Sequence, residues 1–239
     1  MLNTAEAARL LRVSQASIRR WADSGRLPSG RVGGRRERRF KESDLIAFME
    51  RTPAAGGGEA ITVGGAVVRP PVHLATFFSS DEGGLRLSVP FLADGLRILG
   101  QAGILVAGEP LVSRYIAALG DQTGVNLDAA TSAGLFATVM LVGANAQDAI
   151  AQWERRFAEL VARGVSVIRI VGEMTSERKM FASEDEMLRY EEAFQLMCKR
   201  YPVAVICQYD AREFNGAAVL RAMKAHPDMF EFRIGAFLN

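Results

Sequence analysis

Residues 150–207 read IAQWERRFAELVARGVSVIRIVGEMTSERKMFASEDEMLRYEEAFQLMCKRYPVAVIC. Ile150, Trp153, Phe157 and Leu160 recur at spacings of three and four, which puts them on one face of a helix. Residues 166–171 are a short, unbroken, β-branched run, the pattern of a strand buried on both faces. Residues 184–200 return to helical spacing with Met187, Tyr190, Phe194 and Met197 inward, and residues 203–207 repeat the buried strand. Helices alternating with doubly buried strands imply a parallel sheet, because parallel neighbours need a helical crossover between them.

The same alternation extends in both directions. Residues 72–78 read as a strand and 79–84 as a polar turn; 85–99 read as a helix interrupted by Pro90. Residues 104–107 form a short strand ending at Gly108, and Pro110 falls in the first turn of the next helix. An apolar run at 135–142 and a helix over 215–225 complete an α/β body over 72–239, with a mostly parallel sheet covered on both faces. Ligands of such sheets bind beyond the carboxyl ends of the strands. That rule selects Glu173, within Gly172-Glu173-Met174, and the run Cys207-Gln208-Tyr209-Asp210. Glu173 reads equally as a surface loop acid, and Tyr209 and Asp210 equally as caps of the next turn. The turn after residue 107 reads GEPLVSRY. A phosphate loop needs GxxxxGK[ST], and here the lysine and second glycine are missing while Glu109 repels phosphate, so nucleotide hydrolysis by this route is not expected.

Residues 52–71, TPAAGGGEAITVGGAVVRPP, read mostly as a linker, with 61–68 able to dock as an edge strand. The two cysteines, Cys198 and Cys207, lie in apolar segments, which argues against a disulfide framework. Two cysteines and two histidines scattered along the chain show no zinc-ligand spacing, so neither a metal nor another cofactor is expected. No apolar run approaches the ~18 residues of a membrane span and no signal peptide is evident, so a cytoplasmic protein without membrane partners is expected.

Residues 1–51 differ in charge. They hold twelve of the 29 Lys/Arg and six of the 27 Asp/Glu, leaving 17 and 21 for the remainder, so a head of +6 precedes a body of −4. Such asymmetry points to a polyanion partner for the head. Asn3-Thr4-Ala5-Glu6 has the form of a capping box. A short helix follows, then a second with Ile18, Trp21 and Ala22 inward and Gln15, Ser17, Arg19 and Arg20 outward. Residues 31–40 read RVGGRRERRF; Gly33-Gly34 suits a two-residue hairpin tip and sets Arg35, Arg36, Arg38 and Arg39 along a wing. A third helix carries Leu45, Phe48 and Met49. A second helix in the major groove can reach base edges, and wing arginines can neutralise phosphates without reading sequence, so double-stranded DNA is the expected partner.

Two resemblances sharpen this. TAEAARLLRVSQASIRRWADSGRLP (4–28) with VGGRRERRFKESDLIAFME (32–50) resembles the excisionase/MerR-like winged helix-turn-helix family over residues 2–51. That resemblance implies DNA binding by the second helix and the wing. Small modules of this kind bind weakly alone, so a homo-oligomer is expected. In the body, HLATFFSSDEGG (73–84), FLADGLRILGQAGILVAG (91–108), VIRIVGEM (167–174), YEEAF (190–194), VAVICQYDAREFNG (203–216) and HPDMF (226–230) together resemble the MEDS family, sensory domains of methanogens and methylotrophs. The resemblance implies a three-layer RecA/KaiC-like core without nucleotide motifs, sensing of a small hydrocarbon derivative, and a characteristic His and Cys at the site. Those fall on His73 and Cys207. Many members carry an aromatic residue soon after GEM, where this chain has Thr175-Ser176.

Taken by residue type alone, a histidine opening an apolar strand is also a common structural residue, and a buried cysteine also a small hydrophobe. Cys198 reads as core and His226 as structural. The expected ligand set is therefore His73, Glu173, Cys207, Tyr209 and Asp210, with no catalytic residues. The expected function is a DNA-binding transcriptional regulator that senses a small organic ligand. The competing readings are a RecA-like enzyme, or its relic, using Glu173, and a protein-interaction module.

Overall fold

The structure is a computed structural model. It describes residues 1–11, 15–23, 27–32, 37–50, 59–140 and 145–231, with backbone only for residues 17, 20, 47, 49, 50, 230 and 231. The chain divides into two compact units, Met1–Ala54 and Ala55–Asn239.

In the first unit, Asn3 accepts the Glu6 N–H at 2.9 Å while Glu6 accepts the Asn3 N–H at 2.7 Å, and this reciprocal cap starts α1 (Thr4–Leu10). Helix α2 (Gln15–Asp23) buries Ile18 and Trp21, and α3 (Glu42–Glu50) buries Leu45. Strands β1 (Gly30–Val32) and β2 (Glu37–Arg39) pair antiparallel with Val32 opposite Glu37. The Gly33-Gly34 tip expected between them lies outside the described residues. Leu10, expected on the inward stripe of α1, is 38% exposed; Ala7 and Ala8 are buried instead.

The second unit opens with hairpin β3 (Ile61–Val63) and β4 (Ala66–Val68), within the expected linker. It forms a two-stranded sheet of its own rather than an added edge strand. Gly64 and Gly65 have φ of 54° and 81°, so this is where two consecutive left-handed residues close a two-residue tip. Ile61, Val63 and Val68 are buried in the body's core.

Five parallel strands follow in the order β5-β9-β8-β6-β7: β5 (Val72–Phe78), β6 (Gln101–Val106), β7 (Phe136–Val139), β8 (Val167–Glu173) and β9 (Val203–Asp210). The crossovers are α4 (Asp81–Arg97), then α5 (Leu111–Gly120) with α6 (Leu127–Ser132), then α7 (Ala146–Ala162), then α8 (Met174–Met180) with α9 (Glu184–Cys198). Helix α10 (Gly216–Ala225) and a 3-10 turn (Pro227–Glu231) close the described chain. Helix α4 begins four residues earlier than the sequence indicated and runs through Pro90. Its first turn contains Gly83-Gly84, read as turn signals; a Cβ on Gly84 would lie 3.1 Å from the Phe78 ring, so a small residue is needed there.

Residues paired in register share a sheet face. His73 pairs with Val205, Ala75 with Cys207, and Phe77 with Tyr209, so His73, Cys207 and Tyr209 share one face. Ala204, Gln208 and Asp210 alternate onto the other, and Arg169 and Glu173 join them there through Ala204 and Gln208. The first face lies under α9, whose Gln195 and Phe194 meet His73. The second lies under α4 and α5: Gln208 donates to the Gly84 carbonyl at 2.7 Å and accepts from the Tyr115 hydroxyl.

Arg169 is the costliest group on the second face. It is 2% exposed, donates from Nε to Gln101 Oε1 at 2.9 Å and from Nη1 to the Phe91 carbonyl at 3.0 Å, and lies over the Phe91 ring. It fits because Gly95 of α4 has no side chain: a Cβ there would sit 2.6 Å from Arg169 Cδ. Gly95→Ala is expected to destabilise the body by about 1–3 kcal/mol by displacing this network. Gly216→Ala, whose Cβ meets nothing within 4 Å, is expected to cost nothing and to add up to about 1 kcal/mol. Urea unfolding midpoints of the two variants should move in opposite directions, or the second not at all.

Candidate functional site

Four side chains from four segments converge under the first face. They are His73 on β5, Cys207 on β9, Glu191 on α9 and His226 just after α10; all are buried, and one ligand-type atom from each lies within 4.8 Å of the other three. His73 Nε2 is 3.1 Å from Cys207 Sγ and 3.7 Å from Glu191 Oε2, and His226 Nε2 is 3.4 Å from the same Oε2. The imidazoles lie 4.1 Å apart. Each has its other nitrogen engaged: His73 Nδ1 with Gln195 Oε1 at 2.8 Å, His226 Nδ1 with the Ala222 carbonyl at 2.8 Å. A carbonyl only accepts, so His226 carries its proton on Nδ1 and presents the Nε2 lone pair to Glu191. The backbone around the cluster is tied down as well. The His73 N–H donates to Asp228 Oδ2 at 2.9 Å, and Asp228 pairs with Lys199.

Water exclusion sets the electrostatics. Burial, reinforced by His226, holds His73 well below the usual histidine range, and burial lowers His226 to about 4. Burial raises Glu191 to about 8 and pushes the Cys207 thiol up. Glu177 on α8, with Tyr190 and Tyr209, also faces this region, and burial followed by neighbouring carboxylates raises all three. Left to itself the cluster is a set of neutral groups, and Cys207 is no nucleophile.

A second feature lies at the carboxyl ends of β5, β8 and β9. A cavity of about 170 Å³ is lined by Phe78, Leu85, Leu111, Tyr115, Glu173 and Asp210 among others, with Arg114 and Arg212 at its polar side. Arg212 holds Asp210 through Nε at 2.9 Å and Nη2 at 2.7 Å, and reaches Asp81 at 2.7 Å; these contacts keep both carboxyls below their usual range. Glu173 caps α8, accepting the Thr175 and Ser176 N–H groups at 3.0 and 2.7 Å.

The five expected ligand residues therefore do not meet in one space. His73, Cys207 and Tyr209 face one side of the sheet; Glu173 and Asp210 line the cavity on the other. The cause is alternation along a strand longer than the sequence indicated. Strand β9 runs to Asp210, which leaves Cys207 three positions inside it instead of at its end. Asp210 does cap the following turn, accepting the Arg212 N–H at 2.9 Å. Glu191 and His226 were missed. Glu191 lies four positions after Met187 and three before Phe194, so a carboxylate on an apolar helical stripe was the available signal. His226 is no isolated structural residue but a member of the cluster.

In the first unit, Gln15, Arg19, Arg31, Arg38 and Arg39 line a groove of about 600 Å³. Gln15 and Arg19 are exposed and touch at 3.4 Å. Arg38 is tied inward, donating to the Arg19 carbonyl at 2.8 Å and pairing with Asp23, so it fixes the wing against α2. Arg39 pairs with Glu37 at 2.9 Å. Arg31, exposed on β1, is a basic residue the sequence reading passed over. Arg35 and Arg36 lie outside the described residues, as do the side chains of Ser17 and Arg20.

Comparison with known proteins bears on both units. Residues 72–227 match the family described as MEDS, methanogen/methylotroph, DcmR sensory domain, and residues 1–53 match a helix-turn-helix domain. The transcriptional repressor DcmR of Methylorubrum extorquens (strain DSM 6343 / CIP 106787 / DM4) is 32% identical over 246 residues, covering 97% of this chain and 92% of that protein. Among solved structures, a KaiC-like protein of the hyperthermophilic archaeon Pyrococcus horikoshii OT3 aligns at 12% identity and a TM-score of 0.49, over 67% of this chain and 76% of its own. The chain belongs to the MEDS family, with a helix-turn-helix domain ahead of the sensory domain.

Proposed function

We propose that this protein is a one-component transcriptional regulator: the first unit holds operator DNA and the body senses a small hydrocarbon derivative. The observation that carries the reading is the union of a helix-turn-helix domain and a MEDS domain in one chain, aligned along nearly its whole length with a protein named a transcriptional repressor. The +6 charge of residues 1–51 and the exposed Gln15 and Arg19 on α2 supply the chemistry for DNA. A homo-oligomer presenting paired heads would bring the affinity a single small module lacks.

The ligand is placed in the cavity at the strand ends. Its size, about 170 Å³, is comparable to a cavity of about 150 Å³ that admits benzene, so it suits a molecule of a few heavy atoms. Phe78, Leu85 and Leu111 give it an apolar wall, and Arg114 and Arg212 a polar one. Nucleotide chemistry is disfavoured here. The turn from β5 into α4 holds the strand–loop–helix place of a phosphate loop, but Asp81 and Glu82 occupy the first helical turn, where phosphate would bind. A ligand can alter DNA affinity only by binding one arrangement of the protein more tightly than another.

Two outcomes are expected. Gln15→Ala and Arg19→Ala should each weaken operator binding by about 1–3 kcal/mol and relax base preference, whereas Arg35→Ala with Arg36→Ala should weaken all sequences alike and flatten the salt dependence; fluorescence anisotropy across a salt series separates the two classes. A panel of one- to three-carbon halogenated and oxygenated compounds should contain one that raises the melting temperature and shifts operator affinity. Leu111→Trp, which fills the cavity, should abolish both effects while leaving ligand-free DNA binding intact. A response that survives Leu111→Trp but fails in His73→Gln would move the ligand to the other face of the sheet.

A further inference from the structure

The buried His73–Cys207–Glu191–His226 cluster is hard to explain as packing. A carboxyl group removed from water costs free energy unless it is hydrogen-bonded, and several kcal/mol more if it is ionised and unpaired. Yet neither oxygen of Glu191, nor Nε2 of His226, has a hydrogen-bond partner among the described residues. Each imidazole spends its Nδ1 on an oxygen acceptor and turns Nε2 toward the same point. That is the arrangement in which outer hydrogen bonds orient histidines for a metal.

The distances agree. Metal–nitrogen and metal–oxygen bonds of about 2.0 Å and a metal–sulfur bond of about 2.3 Å, set tetrahedrally, separate the ligand atoms by roughly 3.3–3.7 Å. All six separations lie within 4.8 Å, and three of them are 3.1, 3.7 and 3.4 Å. The last two are too long for strong hydrogen bonds and suit edges of a coordination tetrahedron. A cation at their centre would take up the unpartnered lone pairs at once.

We infer that His73, Glu191, Cys207 and His226 form a four-ligand site for a divalent transition-metal ion of borderline softness, Zn²⁺ in the first place. Thiolate and imidazole select against Mg²⁺ and Ca²⁺, and a mixed N₂SO set in tetrahedral array suits Zn²⁺. Four protein ligands leave no open position, so the ion is structural: it joins β5, β9 and α9 to the segment after α10. The site stands independently of where the organic ligand binds.

The test uses the full chain. Protein purified from zinc-supplemented medium should hold about one zinc per chain by mass spectrometry, and chelation should lower its melting temperature. The apo protein should take up Co²⁺ with the visible absorption of a tetrahedral site and a near-ultraviolet thiolate band. Cys207→Ser should remove the thiolate band, and Cys198→Ser should keep it. Glu191→Gln, close in shape, should weaken zinc binding roughly tenfold or more. If a variant fails to fold, the wild-type result decides alone. Folded wild-type protein that carries no transition metal and takes up neither Zn²⁺ nor Co²⁺ would overturn the site. So would uptake unchanged in both Cys207→Ser and Glu191→Gln.

Discussion

A parallel sheet covered on both faces has no wet side, and every polar side chain that points into it must be answered from within the protein. This constraint organises the body. On the face under α4 and α5 it is met for the largest groups: Arg169 finds Gln101 and the Phe91 carbonyl, and Gln208 finds Tyr115 and the Gly84 carbonyl, while the Thr76 hydroxyl alone among these has no hydrogen-bond partner among the described residues. On the face under α9 it is met only in part. His73 and His226 each satisfy one nitrogen, Trp153 donates to the Tyr190 hydroxyl at 2.9 Å, and Glu191 satisfies nothing. The two faces share the same strands and the same dryness, so the difference is chemical rather than architectural. An unpartnered hydroxyl costs less than an unpartnered carboxyl beside an unpartnered imidazole nitrogen, so it is the face under α9 that needs something further.

What the sequence made legible follows period and length. The stripes of Trp153 and Phe157 and of Tyr190 and Phe194 bury as their spacing required, and the β-branched runs became parallel strands. Strand ends were less readable, because Gln101, Gln208 and Asp210 are polar and look like turn residues until their partners are known. That error had a consequence. It placed Cys207 at a strand mouth, and so merged two sets of residues that alternation along β9 holds apart. One glycine pair misled in the same way: Gly83-Gly84 looks like a turn but lies inside α4, where the Phe78 ring beside Gly84 calls for a small residue. The cluster itself had no local signature: its members are separated by 118, 16 and 19 positions, and only the fold brings them together.

The head shows how little a cluster of arginines says by itself. Arg38 belongs to the protein's own architecture, bound to the Arg19 carbonyl and Asp23, and Arg39 is matched by Glu37. An arginine used in this way still matters for DNA, since it fixes the wing against the helix that carries Gln15 and Arg19. Its contribution is geometric, and surface charge counts overstate the number of cations left for phosphate.

Strand β9 is where the two features of the body meet. Asp210 lines the strand-end cavity, Gln208 binds α4 and α5 beside it, and Cys207 and Tyr209, alternating with them, face the histidines on the other side of the sheet. Interiors are close-packed, so a strand cannot shift on one face and stay still on the other. A molecule that repositions Asp210 and Arg212 therefore bears on Cys207 through a single length of backbone. An ion gripping Cys207 would in turn set how far that backbone can move.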